Sequence, residues 1–222
     1  MKFRSNLECP DLEPQFRHTI SRPMGHSYGH DVMSDNQFMT NCGYWTHDEA
    51  AILYTIASQI GGVWADIGSN AGWTTAHIAI AGCEVDAVDP MYGDEGFHRR
   101  AIENMVRDVK LFNQYSACYF ARFHRDSEWN ALDGVVIDGD HDPPTPVTDA
   151  AGALCCLKGK GVILFHDARG EPVKQAVRWL LNYFPEFKHR IYRTPHGVIA
   201  CWRGDFEPPE HLHDPSIPPY GI

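Results

Sequence analysis

This 222-residue sequence predicts a doubly wound α/β fold, a mostly parallel sheet with helices on both faces. Two observations carry the prediction. Five short apolar runs, at residues 63–67, 84–88, 109–112, 134–137 and 162–165, alternate with segments long enough to be helices. Strand alternating with helix is the pattern of parallel strands joined by crossover helices. Two further runs, 188–193 and 197–202, are separated only by Thr194-Pro195-His196. So short a connection makes a hairpin, and the sheet therefore ends on an antiparallel strand.

The elements follow in order. Up to Tyr44 the chain holds Pro10, Pro14 and Pro23, several glycines and no sustained periodicity, which reads as an irregular arm or short-helix cap. A helix begins after Thr46, a good N-cap, with Asp48 and Glu49 in the first turn where carboxylates suit the helix dipole. Ala51, Ile52, Tyr54, Thr55, Ile56 and Ile60 form its inner side, and Gly61-Gly62 stops it. Further helices are expected at 72–81, 95–107, 146–157 and 171–184. From Arg203 onward five prolines and little periodicity indicate a tail or a surface strap. The chain divides into an arm or lid (1–45), a nucleoside-binding domain (46–203) and a proline-rich tail (204–222).

Bulk composition narrows the function classes. A formal charge of −10 with dispersed cations argues against a nucleic-acid partner, whose phosphates require a basic surface. No apolar run is long enough to span a bilayer, and no secretory signal stands at the start. Seven scattered cysteines lack the spacing of a zinc site or disulfide framework, so a reducing, cytoplasmic setting is expected. Whether the chain forms a homo-oligomer is left open by the sequence.

Chemistry concentrates at the strand ends. The turn Asp66-Ile67-Gly68-Ser69-Asn70-Ala71-Gly72 follows the first strand of the alternating set. In open α/β sheets ligands bind beyond the carboxyl ends of the strands, and glycines there let backbone N–H groups approach them. Asp89 ends the next strand, 23 residues after Asp66, where a carboxylate can accept hydrogen bonds from ribose hydroxyls. Asn70 occupies the central position where a pyrophosphate-binding turn would have glycine, which weakens a dinucleotide reading. Asp138-Gly139-Asp140-His141 and His166-Asp167 end the fourth and fifth strands. Adjacent parallel strands lie roughly 4.8 Å apart, so Asp138 and Asp167 can converge on one cation. Carboxylates suit Mg²⁺ or Ca²⁺, and His166 widens the choice to Mn²⁺, Fe²⁺ or Zn²⁺. The alternative is structural: Asp138 or Asp140 caps the following loop, and His166-Asp167 is a hydrogen-bonded pair. His141 is a candidate general base. His211-Leu212-His213-Asp214 lies in the proline-rich tail and is discounted as a metal cluster.

The turn resembles that of class I S-adenosylmethionine-dependent methyltransferases. The stretch 133–168, with Ile137-Asp138-Gly139-Asp140-His141, Leu157-Lys158-Gly159-Lys160-Gly161 and Phe165-His166-Asp167, is similar to the macrocin-type, methyltransferase-24-like O-methyltransferase branch. Lys160 replaces a glycine of that pattern, and the resemblance spans about 46–202. It implies a Rossmann-like seven-stranded sheet of order 3-2-1-4-5-7-6 with the last strand antiparallel. It further implies cofactor contacts from Asp66, Gly68, Ser69, Asn70, Gly72, Asp89, Ser116 and Asp138. A divalent cation would be held by Asp138, His166 and Asp167, with Asp138, His141 or His166 taking the acceptor proton. Ser116 is carried over alone from the adenine-contact motif, while Tyr115 beside it reads more readily as core. Tyr44, Trp45 and Trp73 are candidates for the acceptor pocket. The expected reaction is methylation of a hydroxyl on a small polar molecule. The rivals are a cofactor-binding module without activity and an NAD-dependent oxidoreductase.

Overall fold

The computed structural model describes residues 6–10, 16–17, 31–34, 37–39, 45–93, 109–126 and 129–222, with backbone alone for 16–17, 31–34, 37–39 and 124–126. The expected helix at 95–107 lies outside the described residues. Within the arm, β1 (Phe16–Arg17), β2 (Asp31–Ser34) and β3 (Gln37–Met39) make a small antiparallel sheet. Strands of two to four residues leave too little alternation to register in the sequence.

The main sheet takes the expected order. Its strands are β4 (Val63–Ile67), β5 (Glu84–Val88), β6 (Val109–Phe112), β7 (Leu132–Ile137), β8 (Leu157–Phe165), β9 (Lys188–Tyr192) and β10 (Val198–Arg203). They lie as β6-β5-β4-β7-β8-β10-β9. Pairs β4/β5, β5/β6, β4/β7 and β7/β8 are parallel, and β10 is antiparallel to both neighbours. The chain winds outward from β4 in one direction through β5 and in the other through β7. A crevice therefore opens at the carboxyl ends of β4 and β7, where such sheets bind ligands.

Helix α1 (His47–Ile60) starts on a complete capping box. Thr46 Oγ1 accepts from Glu49 N at 3.3 Å, and Glu49 Oε2 accepts from Thr46 N at 2.7 Å. The remaining helices are α2 (Trp73–Ile80), α3 (Ser116–Asp126), α4 (Thr145–Cys156) and α5 (Glu171–Tyr183). Alternate strand residues face opposite cores. Val136, Val162 and Leu164 pack with Ile52, Leu53 and Ile56 of α1 and Ala76 of α2. Val135, Ile137, Ile163 and Phe165 pack with Tyr119 and Phe120 of α3, Ala150 of α4 and Val177 of α5. Helix α3 is absent from the sequence expectation, because its apolar positions Tyr119, Phe120 and Phe123 are interleaved with polar residues and cysteine.

The last segment is a strap. Tyr220 Oη donates to the Val198 and Tyr192 carbonyls at 3.1 and 3.0 Å, and Arg169 Nη2 bridges the Thr194 and Pro218 carbonyls. Among the described residues no helix is long and apolar enough to cross a membrane.

Candidate active site

Gly68 begins the turn after β4 at φ 83°. A Cβ there would lie 2.2 Å from the Asp138 carbonyl oxygen, so only glycine lets this turn press against the end of β7. Gly68→Ala is expected to cost about 3 kcal/mol, from the left-handed backbone and the overlap together. In a thermal melt that is a fall of about 10 °C for a chain of this size; an unchanged midpoint would refute the close-contact account. Gly68 N and Ser69 N both donate to the Val88 carbonyl, at 2.9 and 3.4 Å. Asn70 sits at φ 47°, a conformation asparagine tolerates. Gly72, at φ 87°, turns the chain into α2.

Asp89 completes the turn from β5. Its Oδ2 accepts from Asn70 N at 3.0 Å and its Oδ1 from Met91 N at 2.8 Å, leaving each carboxylate oxygen a further lone pair. Asp66 lies elsewhere than the carry-over suggested. It is fully buried beneath the turn, off the cavity wall, with Oδ2 accepting from Thr74 Oγ1 at 2.5 Å and Thr75 Oγ1 at 2.6 Å. Burial pushes its carboxyl up to about 7 despite these hydrogen bonds.

A cavity of about 730 Å³ opens above this turn. Gly68, Ser69, Asn70 and Asp89 line one side, and Ser116, at the start of α3, lines another. Tyr115 is 70 % exposed on the cavity wall, not core as its neighbourhood suggested. It starts α3, its carbonyl accepting from Cys118 N and Tyr119 N, and the ring is left outside. Asp149 of α4 also reaches the wall, and burial raises its carboxyl to about 6 although the Ser116 hydroxyl bonds it. Its sequence signal was a lone acid on the helix stripe that continues with Ala150 and Ala153.

At the far wall four chemically active side chains meet. Asp138 Oδ1 lies 2.9 Å from His166 Nδ1 and 3.6 Å from His141 Nε2; Asp167 Oδ2 lies 3.4 Å from His166 Nδ1 and 3.6 Å from His141 Nε2. Asp167 holds a positive φ of 51°, an unfavourable backbone for a residue that is not glycine, and its carboxylate stays in this cluster. Burial opposes the charge on Asp138, but His166, His141 and the Trp45 indole together hold its carboxyl well below the usual range. Likewise burial opposes the charge on His166, and the facing carboxylates Asp138, Asp167 and Glu49 carry it well above the usual imidazole range. The Asp138 carboxylate, 3.6 Å from Nε2, raises His141 against the effect of burial.

Asp140 takes the capping role considered for this loop, accepting from Asp142 N at 3.0 Å and Thr145 Oγ1 at 3.1 Å. In the tail, His213 Nε2 pairs with Arg193 and belongs to no potential metal-ligand group among the described residues.

The donor set suits a divalent ion. One oxygen from each of Asp138 and Asp167 lies within 4.8 Å of the other, and His166 Nδ1 lies 2.9 and 3.4 Å from these two carboxylates, with His141 Nε2 at 3.6 Å from both. Carboxylate oxygens and imidazole nitrogens at such separations are compatible with shared coordination.

Residues 65–168, spanning the turn, Asp89 and both loaded strand ends, match the family model of methyltransferase family 24, described as a methyltransferase domain. The chain carries a class I S-adenosylmethionine-dependent methyltransferase domain. No curated protein matches the sequence. Among solved structures, an O-methyltransferase from Bacillus cereus in complex with SAH aligns at 16% identity and a TM-score of 0.62, over 73% of this chain and 83% of that one. A precorrin-6y C5,15-methyltransferase from Geobacter metallireducens aligns at 17% identity and 0.55, over 71% and 89%. A 1,6-didemethyltoxoflavin-N1-methyltransferase from Burkholderia thailandensis aligns at 16% and 0.50, over 71% and 80%. Their names span oxygen, carbon and nitrogen acceptors, and at these identities the likeness is one of fold. The methyltransferase assignment replaces the dinucleotide oxidoreductase alternative.

Trp45, a candidate for the acceptor pocket, lines the cavity, whereas two residues packed behind the site, Glu49 and His196, gave little or no sequence signal. Trp45 stacks on His166 at 4.3 Å between ring centroids and donates from Nε1 to Asp138 Oδ2 at 2.7 Å. Glu49, expected only to complement a helix dipole, is fully buried against His166 and His196. His196 had no signal beyond its place in a hairpin turn.

Proposed function

We propose that the protein transfers the methyl group of S-adenosylmethionine to a hydroxyl oxygen of a small polar acceptor, with a divalent cation assisting. The supporting observation is the convergence of Asp138, His141, His166 and Asp167 on the cavity that the turn at 68–70 and Asp89 also line. In this reading Gly68, Ser69 and Asn70 hold the amino-acid portion of the cofactor, Asp89 the ribose and Ser116 the adenine.

Exposure separates the roles of the two histidines. The His141 side chain is 39% exposed, whereas that of His166 is 1% exposed and enclosed by Asp138, Asp167 and Glu49. His141 therefore takes the acceptor proton, its basicity strengthened by Asp138. The acceptor oxygen forms a bond to the methyl carbon as the carbon–sulfur bond breaks, and that electron pair leaves with the sulfur as a neutral thioether. Asp138, His166 and Asp167 would hold the cation, which when bound supplies Lewis acidity that lowers the pKa of the acceptor hydroxyl. Trp45, stacked on His166, fixes the floor beside them. Positioning of the two substrates in one cavity supplies much of the acceleration.

The test is a panel of sugars, phenols and small hydroxylated metabolites, monitored for S-adenosylhomocysteine and for the methylated oxygen by mass spectrometry. Turnover is expected on a hydroxyl, is lost after exhaustive chelation and returns with added divalent ion. Undiminished turnover after chelation would remove the cation from the mechanism, and methylation at nitrogen or carbon would overturn the acceptor assignment.

A further inference from the structure

Glu49 is a buried carboxylate in the first turn of a helix, a place where acids ordinarily face water. It makes more contacts than a cap requires. Oε1 accepts from His196 N at 3.1 Å. Oε2 accepts from Thr46 N at 2.7 Å, lies 3.1 Å from His196 Nδ1 and faces His166 Nε2 at 3.5 Å. The carboxylate is thereby fixed by two separate segments, the start of α1 and the turn between β9 and β10. It is aimed at a histidine on a third, the end of β8.

His166 is oriented from both sides. Nδ1 faces Asp138 Oδ1 and Asp167 Oδ2, at 2.9 and 3.4 Å, while Nε2 is buried and faces Glu49. Trp45 stacks on the ring 12° from parallel and limits its rotation. An imidazole can donate a lone pair from one nitrogen only when its proton sits on the other, and ligating histidines present that N–H to an oxygen acceptor behind them.

Resting on the cation-assisted reading above, we infer that Glu49 is a positioning residue. It accepts the Nε2–H of His166, so that once Nδ1 gives up to solvent the proton it now directs at Asp138, the Nδ1 lone pair joins the oxygens of Asp138 and Asp167 as an oriented nitrogen donor. The consequence is metal choice. Mg²⁺ prefers oxygen ligands and strict octahedral geometry, whereas an imidazole among carboxylates favours a first-row transition dication such as Mn²⁺. Glu49 thus sets the ion class from outside the coordination shell.

The experiment titrates MnCl2 and MgCl2 separately into chelator-stripped full-length protein by calorimetry, and measures S-adenosylhomocysteine affinity in the same preparations. Wild type is expected to bind Mn²⁺ at least tenfold more tightly than Mg²⁺. Glu49→Gln, whose amide can present an N–H to Nε2 and favour the wrong tautomer, is expected to weaken Mn²⁺ binding about 10- to 100-fold, with S-adenosylhomocysteine affinity unchanged. Thr46→Ala removes the hydroxyl cap but leaves the His166 contact, so it lowers the melting temperature and spares the Mn²⁺ affinity. Equal loss of Mn²⁺ affinity in both variants would reduce Glu49 to a helix cap and overturn the inference. Wild-type affinity in Glu49→Gln, or equal binding of the two ions by wild type, overturns it while leaving the cation reading intact. If wild type binds neither ion, the cation reading itself falls.

Discussion

Replacing Asp89 by alanine is expected to weaken S-adenosylmethionine binding about 100- to 1,000-fold, the equivalent of losing two charge-assisted hydrogen bonds of about 1.5–3 kcal/mol each, less some compensation by water. Two effects act in the same direction. The ribose loses its carboxylate, and Asn70 N and Met91 N lose the acceptor that shapes the turn around the cofactor. Asp89→Asn retains one carbonyl acceptor and is expected to fall between alanine and wild type. Calorimetry with S-adenosylmethionine at fixed salt measures all three proteins. Wild-type affinity in a folded Asp89→Ala protein would show that the ribose lies elsewhere.

The second large effect concerns proton removal. His141→Ala is expected to lower kcat by about 10²- to 10⁴-fold, the usual contribution of a positioned general base. Affinity for S-adenosylmethionine should be unchanged, because His141 stands opposite the turn. Its side chain is 39% exposed, so its removal is expected to leave the fold intact. Single-turnover measurement on whichever acceptor the panel identifies isolates the chemical step. A kcat within about threefold of wild type would remove His141 from proton transfer and leave the remaining acids of the cluster to account for it.

What could be read in the sequence was whatever repeats or stays local. The strands 63–67, 84–88 and 109–112 coincide with β4, β5 and β6 because each is a compact apolar run ended by polar or glycine-rich turns. Thr46 was legible as an N-cap and Glu49 as a first-turn acid because both signals are local, and the structure joins them in a capping box. Asp89, Asp138 and Asp167 were legible as strand-end acids, since a parallel sheet brings such ends to one edge. By contrast, Trp45 reaches Asp138 across 93 positions and Glu49 reaches His196 across 147, and no periodicity encodes a partner at that distance. β8 starts at Leu157 rather than 162, because exposed Lys160 and Gly159 interrupt the apolar pattern while the backbone continues as strand. The buried position of Asp66 followed from hydroxyls on Thr74 and Thr75, which a reading of the turn alone did not weigh.

The place of β10 has a consequence for the order in which the molecule can be completed. Of this sheet's seven strands it is the last in sequence, yet it occupies an interior slot, with β8 on one side and β9 on the other. A nascent chain ending before residue 198 has no neighbour to which β9 can pair, and the edge of β8 is open. The hairpin must then dock as a unit, carrying His196 to Glu49 as it does so. N-terminal parts of a chain fold first during synthesis, and contacts distant in sequence form slowly. The cofactor turn can thus be shaped while the chain is still growing, whereas the final enclosure of His166 waits for the last strand to arrive.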